Sequence, residues 1–193
     1  MDNSLVRWGR RLEYATLGWN VVGSVIVLAS AVVARSVALA GFGLDSLIEI
    51  VASLVVVWQL TGVANDRERP ALRIIGVAFI VLAVYITAQS LYTLISRSHP
   101  HHSLTGIVWL ALTAVVMFSL AAGKARTGKL LNNRVLQTEA RVTVIDGYLA
   151  VAVLVGLVLN AAARVWWADP LSAFVIVFYG LREAAAALRQ ARA

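Results

Sequence analysis

The segment Val37–Trp58 reads VALAGFGLDSLIEIVASLVVVW and places two acidic residues, Asp45 and Glu49, inside an apolar run. The run is long enough to cross a bilayer, whose hydrocarbon core takes about 20 apolar residues. A carboxylate at that depth costs about 2.5–3.5 kcal/mol on insertion scales, so two on one segment indicate a function. On a helix, a spacing of four places both side chains on one face, one turn apart. This geometry is typical of a site that holds a cation or a proton inside a membrane.

Composition indicates an integral membrane protein. The chain has 193 residues, of which 60% are hydrophobic and 14% charged, and its mean hydropathy is +0.80. Soluble domains carry about 25% charged residues. The absence of cysteine excludes disulfides, thiolate metal ligands and thiol redox chemistry. In a membrane protein, the net charge of +7 reflects basic residues that fix topology and contact anionic lipid, so we expect lipid and no nucleic acid as a partner.

Six stretches are long and apolar enough to span a bilayer, which predicts an all-α polytopic membrane protein with one six-helix transmembrane domain over residues 1–193. The predicted spans are approximately 14–34, 37–60, 74–95, 104–122, 142–163 and 171–188. The first is too long for the apolar part of a signal peptide and is interpreted as a retained helix. Asn65–Pro70 is read as the link between spans two and three, and Lys124–Glu139 as the longest link. Since the chain ends shortly after the last span, we expect no soluble C-terminal domain.

The basic residues predict the orientation of the bundle. The chain has 17 Lys and Arg residues, and with the N-terminus inside, all but Arg35, Arg97 and Arg164 fall on the inner side. Basic residues near span ends are concentrated on the cytoplasmic side of membrane proteins. We therefore expect both termini in the cytoplasm.

Three acidic residues lie well inside predicted spans, namely Asp45, Glu49 and Asp146. No Lys or Arg is placed deep enough in these spans to neutralise all three. A carboxylate without a partner in low dielectric takes up a proton or coordinates a cation. Three converging carboxylates, completed by water or Asn20, would suit a divalent metal ion, and metal and protons would compete for the site. The alternative is that these acids are protonated packing residues that hydrogen-bond to neighbouring helices.

All the histidines lie in one short loop, His99-Pro100-His101-His102, on the predicted outer side. Imidazole binds zinc, copper, nickel and iron, so His99, His101 and His102 are candidates for capturing metal at the exit of the protein. The alternative is a merely polar loop, in which Pro100 restricts how far the imidazoles can converge.

The segment Ser36–Ser53 resembles the second membrane helix of the cation diffusion facilitator, or cation efflux, family. In that family an acidic pair four residues apart supplies half of the transport site. The sequence EARVTVID, which begins at Glu139, is similar to the family's fifth helix. There an acidic residue is followed three positions later by His or Asp and four later again by Asp. Glu139 and Asp146 fit this register, and Val142 departs from it because a ligand is expected there.

The resemblance implies a metal site formed by Asp45, Glu49 and Asp146, with Asn20 and Glu139 as further candidate ligands. The stretch Phe42–Glu49 is most similar to short bacterial members that lack the cytoplasmic C-terminal domain. The expected location is therefore the bacterial plasma (inner) membrane, and the expected assembly is a homodimer through membrane helices.

The function that these observations indicate is a secondary transporter that exports divalent metal ions and exchanges them for protons. A carboxylate site without histidine favours manganese, iron or cobalt, and cadmium is a further candidate. The family resemblance favours zinc, which we place first. The alternatives are a membrane protein that binds metal to regulate a partner without transporting it, and a purely structural bundle. We do not expect an enzyme, because no nucleophile and base are paired within the spans.

Overall fold

The computed structural model describes the backbone of residues 3–60, 65–131 and 134–191, and over these ranges the protein consists of α-helices joined by short turns. Side chains are described in the same ranges except at residues 3, 4, 6, 52–60, 65–72, 134–136, 138, 139 and 190. The helices are α1 (Asn3–Ala34), α2 (Val37–Leu60), α3 (Asn65–Ile95), α4 (Leu104–Leu130), α5 (Arg134–Ala163) and α6 (Ala168–Gln190).

Five of these helices contain a segment long and apolar enough to cross a membrane. The segments are Arg7–Ala34, Arg73–Ile95, Leu104–Leu130, Ala140–Ala163 and Ala168–Arg189. The second predicted span lies on α2, and the side chains of its last part fall outside the described residues. Large apolar side chains such as Val33, Ile95 and Leu104 are exposed, as expected for a surface that faces lipid. The chain is an all-α polytopic integral membrane protein.

Most helices extend beyond the spans that hydropathy predicts. Residues 65–70 and 124–130, which were expected in links, belong to α3 and α4 instead. The physical reason is that hydropathy measures only the apolar part of a helix. Its backbone hydrogen bonds continue past the hydrocarbon core, where charged residues with good helix propensity are favourable.

The helices alternate in direction, so the turns after α1, α3 and α5 meet at one end of the bundle, which we call the loop end. His101 N donates a hydrogen bond to Ala34 O at 2.7 Å, and Asn160 Nδ2 donates to Pro100 O at 3.0 Å. The imidazole of His99 lies against Trp166, with ring centroids 5.2 Å apart. The N-terminal end of α1 and the C-terminal end of α6 lie at the opposite end, which we call the terminal end.

An arginine closes each of the helices that reach the loop end. Arg35, Arg97 and Arg164 follow α1, α3 and α5 with φ angles of 50°, 49° and 53°. A left-handed residue directly after a helix is a common C-terminal cap, usually glycine. After α1, Ser36 N donates to Ala31 O at 3.1 Å in the Schellman pattern. A basic side chain at this position also interacts favourably with the helix dipole.

The carboxylate of Asp169 joins the start of α6 to the start of α2. The side chain is buried and accepts hydrogen bonds from Ser36 Oγ, from Val37 N at 3.1 Å and from Ala38 N at 3.4 Å. The first amides of a helix have no partner within that helix. Asp169 therefore caps α2 from a distant part of the chain and ties the two helices together at the loop end.

The core lies between helices that pack pairwise, with α4 mainly on α5, α3 mainly on α6, and α1 between α2 and α4. α1 and α2 approach closely at Gly43, where an added Cβ would lie 2.7 Å from Leu28 Cγ. Small residues allow such contacts between membrane helices. α2 and α5 contact each other over only a short stretch, and the acidic residues lie there.

Candidate metal site

α2 presents both of its acidic residues toward the interior of the bundle. Asp45 is 4% exposed and Glu49 is half-buried, whereas Leu47 and Val51 on the other side of the helix are exposed. This arrangement follows from the spacing of four, which returns a helical side chain to nearly the same direction. The neighbouring Ser46 is occupied locally, because its hydroxyl donates to Phe42 O at 3.1 Å.

α5 supplies the third acid. Asp146 is 2% exposed and lies on a stripe of buried residues that includes Thr143, Ala150 and Val153. Intervals of three and four keep these side chains on one face of the helix. The buried face of α5 is therefore mostly apolar, and Asp146 is the carboxylate on it.

The three acids converge. One carboxylate oxygen from each of Asp45, Glu49 and Asp146 lies within 4.8 Å of the other two. Oxygens bound to one metal ion at about 2.0–2.6 Å can lie at most about twice that distance apart. Small side-chain rotations would therefore let the three share an ion. Among the side chains that the structure describes, no other group of three histidine or acidic residues meets so closely.

α1 reaches the same cluster through Asn20. Its Nδ2 donates a hydrogen bond to Glu49 Oε2 at 3.1 Å, and the residue is buried. Asn20 therefore orients one of the acids. Its predicted role as an oxygen ligand stays a prediction.

The electrostatics of the cluster favour a bound cation. Asp146 Oδ1 is buried and accepts no hydrogen bond from the residues that the structure describes. Asp45 experiences repulsion from both Asp146 and Glu183, a half-buried residue of α6, while Asp146 is attracted by Lys124. Buried acceptors without donors are costly, and a cation coordinated between these carboxylates would satisfy them and offset their repulsion.

The family assignment rests on the part of the chain that contains Asp146. Residues 73–192 match the family model described as the cation efflux transmembrane domain, which is more than half of the chain. The chain belongs to the cation efflux family. The family predicted from the sequence is therefore confirmed, and it is a family of transporters rather than of enzymes. Asp45 and Glu49 precede the matched range.

A relative extends the similarity to both halves of the cluster. Transmembrane protein 163 of Xenopus laevis is 26% identical over 182 residues, which cover 86% of this chain and 64% of the relative. An alignment that includes 86% of the chain must include α2 and α5, wherever it begins. The chain spans less than two thirds of the length of this curated relative.

Two further positions of α5, Val142 and Glu139, belong to the motif that resembles the family's fifth helix. Val142 is half-buried one turn before Asp146 and has no atom that could bind a metal. The side chain of Glu139 lies outside the described residues, so its assignment as a ligand stays a prediction. The carboxylates described at the site therefore come from Asp45, Glu49 and Asp146.

The histidines lie elsewhere. His99, His101 and His102 are exposed at the loop end, and His99 contacts Trp166. They take no part in the acidic cluster, which is buried between α2 and α5. Their proposed capture of metal at the exit stays a prediction.

Sequence reasoning missed an ion pair formed by a buried lysine beside the site. Lys124 was expected in a link and is instead fully buried on α4, where Nζ contacts Glu13 Oε2 at 2.9 Å and Thr143 Oγ1 at 3.2 Å. Hydropathy ends a span at the first charged residue, and this one has a partner on another helix. A signal was present, because Lys124 continues the buried series Leu110, Met117 and Ala121 at helical spacing.

Proposed function

We propose that this protein is a secondary transporter that exports divalent metal ions from the cytoplasm in exchange for protons. The observation that carries the proposal is the convergence of Asp45, Glu49 and Asp146 to within 4.8 Å inside a bundle of membrane-spanning helices. Membership of the cation efflux family supports the direction of transport. Ionisable residues at bilayer depth that face the bundle interior mark ion pathways in membrane proteins.

Proton exchange follows from the charge of the cluster. A carboxylate must be ionised to coordinate a metal, so metal binding displaces protons from the site and protonation releases the metal. Replacing one divalent ion by two protons leaves the net charge of the three acids unchanged. The low-dielectric interior would thus hold nearly the same charge in both states, which keeps the cost of each state comparable.

Alternating access would act where α2 meets α5. Secondary transporters expose a central site alternately to each side when one group of helices rocks against another. α2 and α5 contact each other over a short stretch, whereas α4 packs extensively on α5 and α3 on α6. A metal ion held by Asp45 or Glu49 on α2 and by Asp146 on α5 would therefore have its coordination changed by such a motion.

Zinc is the first candidate substrate, on the basis of the family. The acidic cluster brings together oxygen donors and no imidazole, which suits the harder ions manganese, iron and cobalt. We therefore propose that zinc is transported without strong discrimination against these ions, and cadmium belongs in the same test.

We also propose that the protein resides in a bacterial inner membrane with both termini in the cytoplasm, and that it forms a homodimer through membrane helices. The distribution of basic residues supports the orientation, because Arg35, Arg97 and Arg164 are the basic residues at the loop end. Crosslinking of single cysteines placed on lipid-facing positions of this cysteine-free chain would test the dimer.

The deciding experiment is metal uptake into proteoliposomes with an imposed pH gradient, using zinc, manganese, cobalt, iron and cadmium in turn. The native chain should transport at least one of these ions only when the gradient is present. Asp45→Asn and Asp146→Asn should each abolish the flux, because each removes one charged ligand while preserving the size of the side chain.

Ser46→Ala is the matched control, because it changes a buried polar residue next to Asp45 whose hydroxyl bonds only its own helix. It should retain the flux. Metal binding without flux would favour the non-transporting regulator. The absence of both binding and flux would favour the purely structural bundle. A flux that persists in both asparagine variants would place the transport site elsewhere.

A further inference from the structure

The ion pair between the buried Lys124 and the half-buried Glu13 lies where three helices meet, on the side of the acidic cluster nearer the terminal end. Lys124 belongs to α4, Glu13 to α1 and Thr143, the second acceptor of the ammonium, to α5. The lysine is 0% exposed. A buried ammonium is tolerated only when it is paired and hydrogen-bonded. These contacts therefore hold the ammonium next to Glu13 and Thr143.

The ammonium also lies close to the metal site. Thr143 precedes Asp146 by three residues and shares its buried face of α5, so the two side chains are one turn apart. Lys124 attracts the Asp146 carboxylate electrostatically. The positive charge of Lys124 therefore acts on one of the proposed metal ligands without being among them.

Among the residues that the structure describes, the ammonium and its neighbouring carboxylates do not use all their hydrogen-bonding groups. Lysine carries three N–H donors, and two of them are directed at Glu13 Oε2 and Thr143 Oγ1. Glu13 Oε1 and Asp146 Oδ1 are both buried and accept no hydrogen bond within the described structure. The flexible side chain thus has an open acceptor on the Glu13 side and another on the Asp146 side.

We propose that Lys124 is an internal counter-ion of the acidic cluster, shared between Glu13 and Asp146. This inference rests on the proposed function only in requiring that the cluster binds a divalent cation. The ammonium lies on the Glu13 side in the structure, and when it moves toward Asp146 it reduces the excess negative charge of the cluster. A metal ion bound to Asp146 repels the ammonium toward Glu13. The metal and Lys124 therefore compete for the same carboxylate, and Glu13 sets how strongly the lysine competes.

This mechanism predicts opposite effects for the two partners of one ion pair. Lys124→Met removes the competitor and should tighten metal binding by about tenfold. Glu13→Gln removes the anchor that draws the ammonium away from Asp146, so it should weaken metal binding by about tenfold. If the ion pair merely held α1, α4 and α5 together, both variants would lose that contact. Their metal affinities would then change in the same direction.

The experiment is a calorimetric titration of the detergent-solubilised protein with zinc and with manganese at one pH, which measures the affinity for each metal. Size-exclusion profiles and melting temperatures report folding separately. Lys124→Met leaves the half-buried Glu13 carboxylate without its partner, so the double variant Lys124→Met with Glu13→Gln, which removes both charges of the pair, is included. It lacks the competing ammonium and should also bind metal more tightly than the native chain. Lys129→Met, at an exposed position on the same helix, is the control for a general loss of positive charge.

The two proposals fail in different ways. No binding of any metal by the folded native chain would overturn the proposed function and the counter-ion role with it. Native binding that changes in the same direction in Lys124→Met and Glu13→Gln, or a double variant that binds no more tightly than the native chain, would overturn the counter-ion role and leave the proposed function intact.

Discussion

Asp146 has the most constrained environment of the three acids in the cluster. It is buried on α5, one of its oxygens accepts no hydrogen bond from the described part of the chain, and it experiences the charges of both Asp45 and Lys124. An apolar residue would fit the surrounding stripe of α5 without any of these costs. Packing therefore does not account for the carboxylate, whereas the proposed metal site does.

At this residue scale, we expect metal affinity to decrease as the pH is lowered. Ionised carboxylates coordinate the metal and protonated ones do not, so protons compete with it and each proton displaced makes the affinity up to about tenfold weaker per pH unit. Calorimetric titrations in buffers with different ionisation enthalpies would count the protons released on binding. Affinity that does not change between about pH 6 and pH 8 would contradict proton exchange at this site.

The acids themselves could be predicted from the sequence, whereas the ion pair that their charged neighbour forms could not. Asp45 and Glu49 stand out because carboxylates are expensive in an apolar span, and that cost is local to the span. Lys124 also lies inside a membrane-spanning helix, but hydropathy places it at the end of a span. Its burial depends on Glu13, which is 111 residues earlier in the chain. A local pattern contains no information about such a partner.

At the scale of elements, the carboxylate of Asp169 on α6 caps the start of α2. Asp169→Ala would leave Ser36 Oγ and the amides of Val37 and Ala38 without their acceptor. An unsatisfied buried donor costs about 1–3 kcal/mol, so we expect a loss of at least about 2 kcal/mol in stability. Thermal unfolding of the protein in detergent would measure it.

Ser172→Ala is the control for this change, since its hydroxyl donates only to Asp169 O at 2.8 Å within the same helix. We expect the folded fraction of Asp169→Ala to keep its metal affinity, because Asp45 lies about 12 Å further along α2. A large loss of affinity without a loss of stability would show that Asp169 acts on the site instead of on the helix ends.

The helices could be predicted as elements, but not their ends. Each predicted apolar stretch lies on one of the helices, but α1, α3 and α5 begin well before the apolar residues do. The C-terminal caps formed by Arg35, Arg97 and Arg164 were not foreseen either. Glycine is the usual signal for a left-handed cap, and arginine gives none.

At the scale of the whole molecule, the orientation can be tested directly because the chain has no cysteine. His99→Cys would place a thiol at the exposed loop end and Lys129→Cys one at the exposed terminal end. In intact cells, a membrane-impermeant thiol reagent should label His99→Cys at once and Lys129→Cys only after permeabilisation, because basic residues stay on the cytoplasmic side. The reverse pattern would overturn the proposed orientation.

The cap that Asp169 provides has a consequence for the biogenesis of the protein. Helices emerge from the ribosome in order, so Val37 and Ala38 reach the membrane long before Asp169 has been synthesised. During that interval the start of α2 lacks its acceptor, and Asp45 and Glu49 still lack Asp146. The nascent hairpin of α1 and α2 is therefore an intermediate in which these polar groups lack the partners that α5 and α6 provide once they have been synthesised. Chains that stop before α6 would retain this exposed polarity, which gives membrane quality control a physical basis for recognising them.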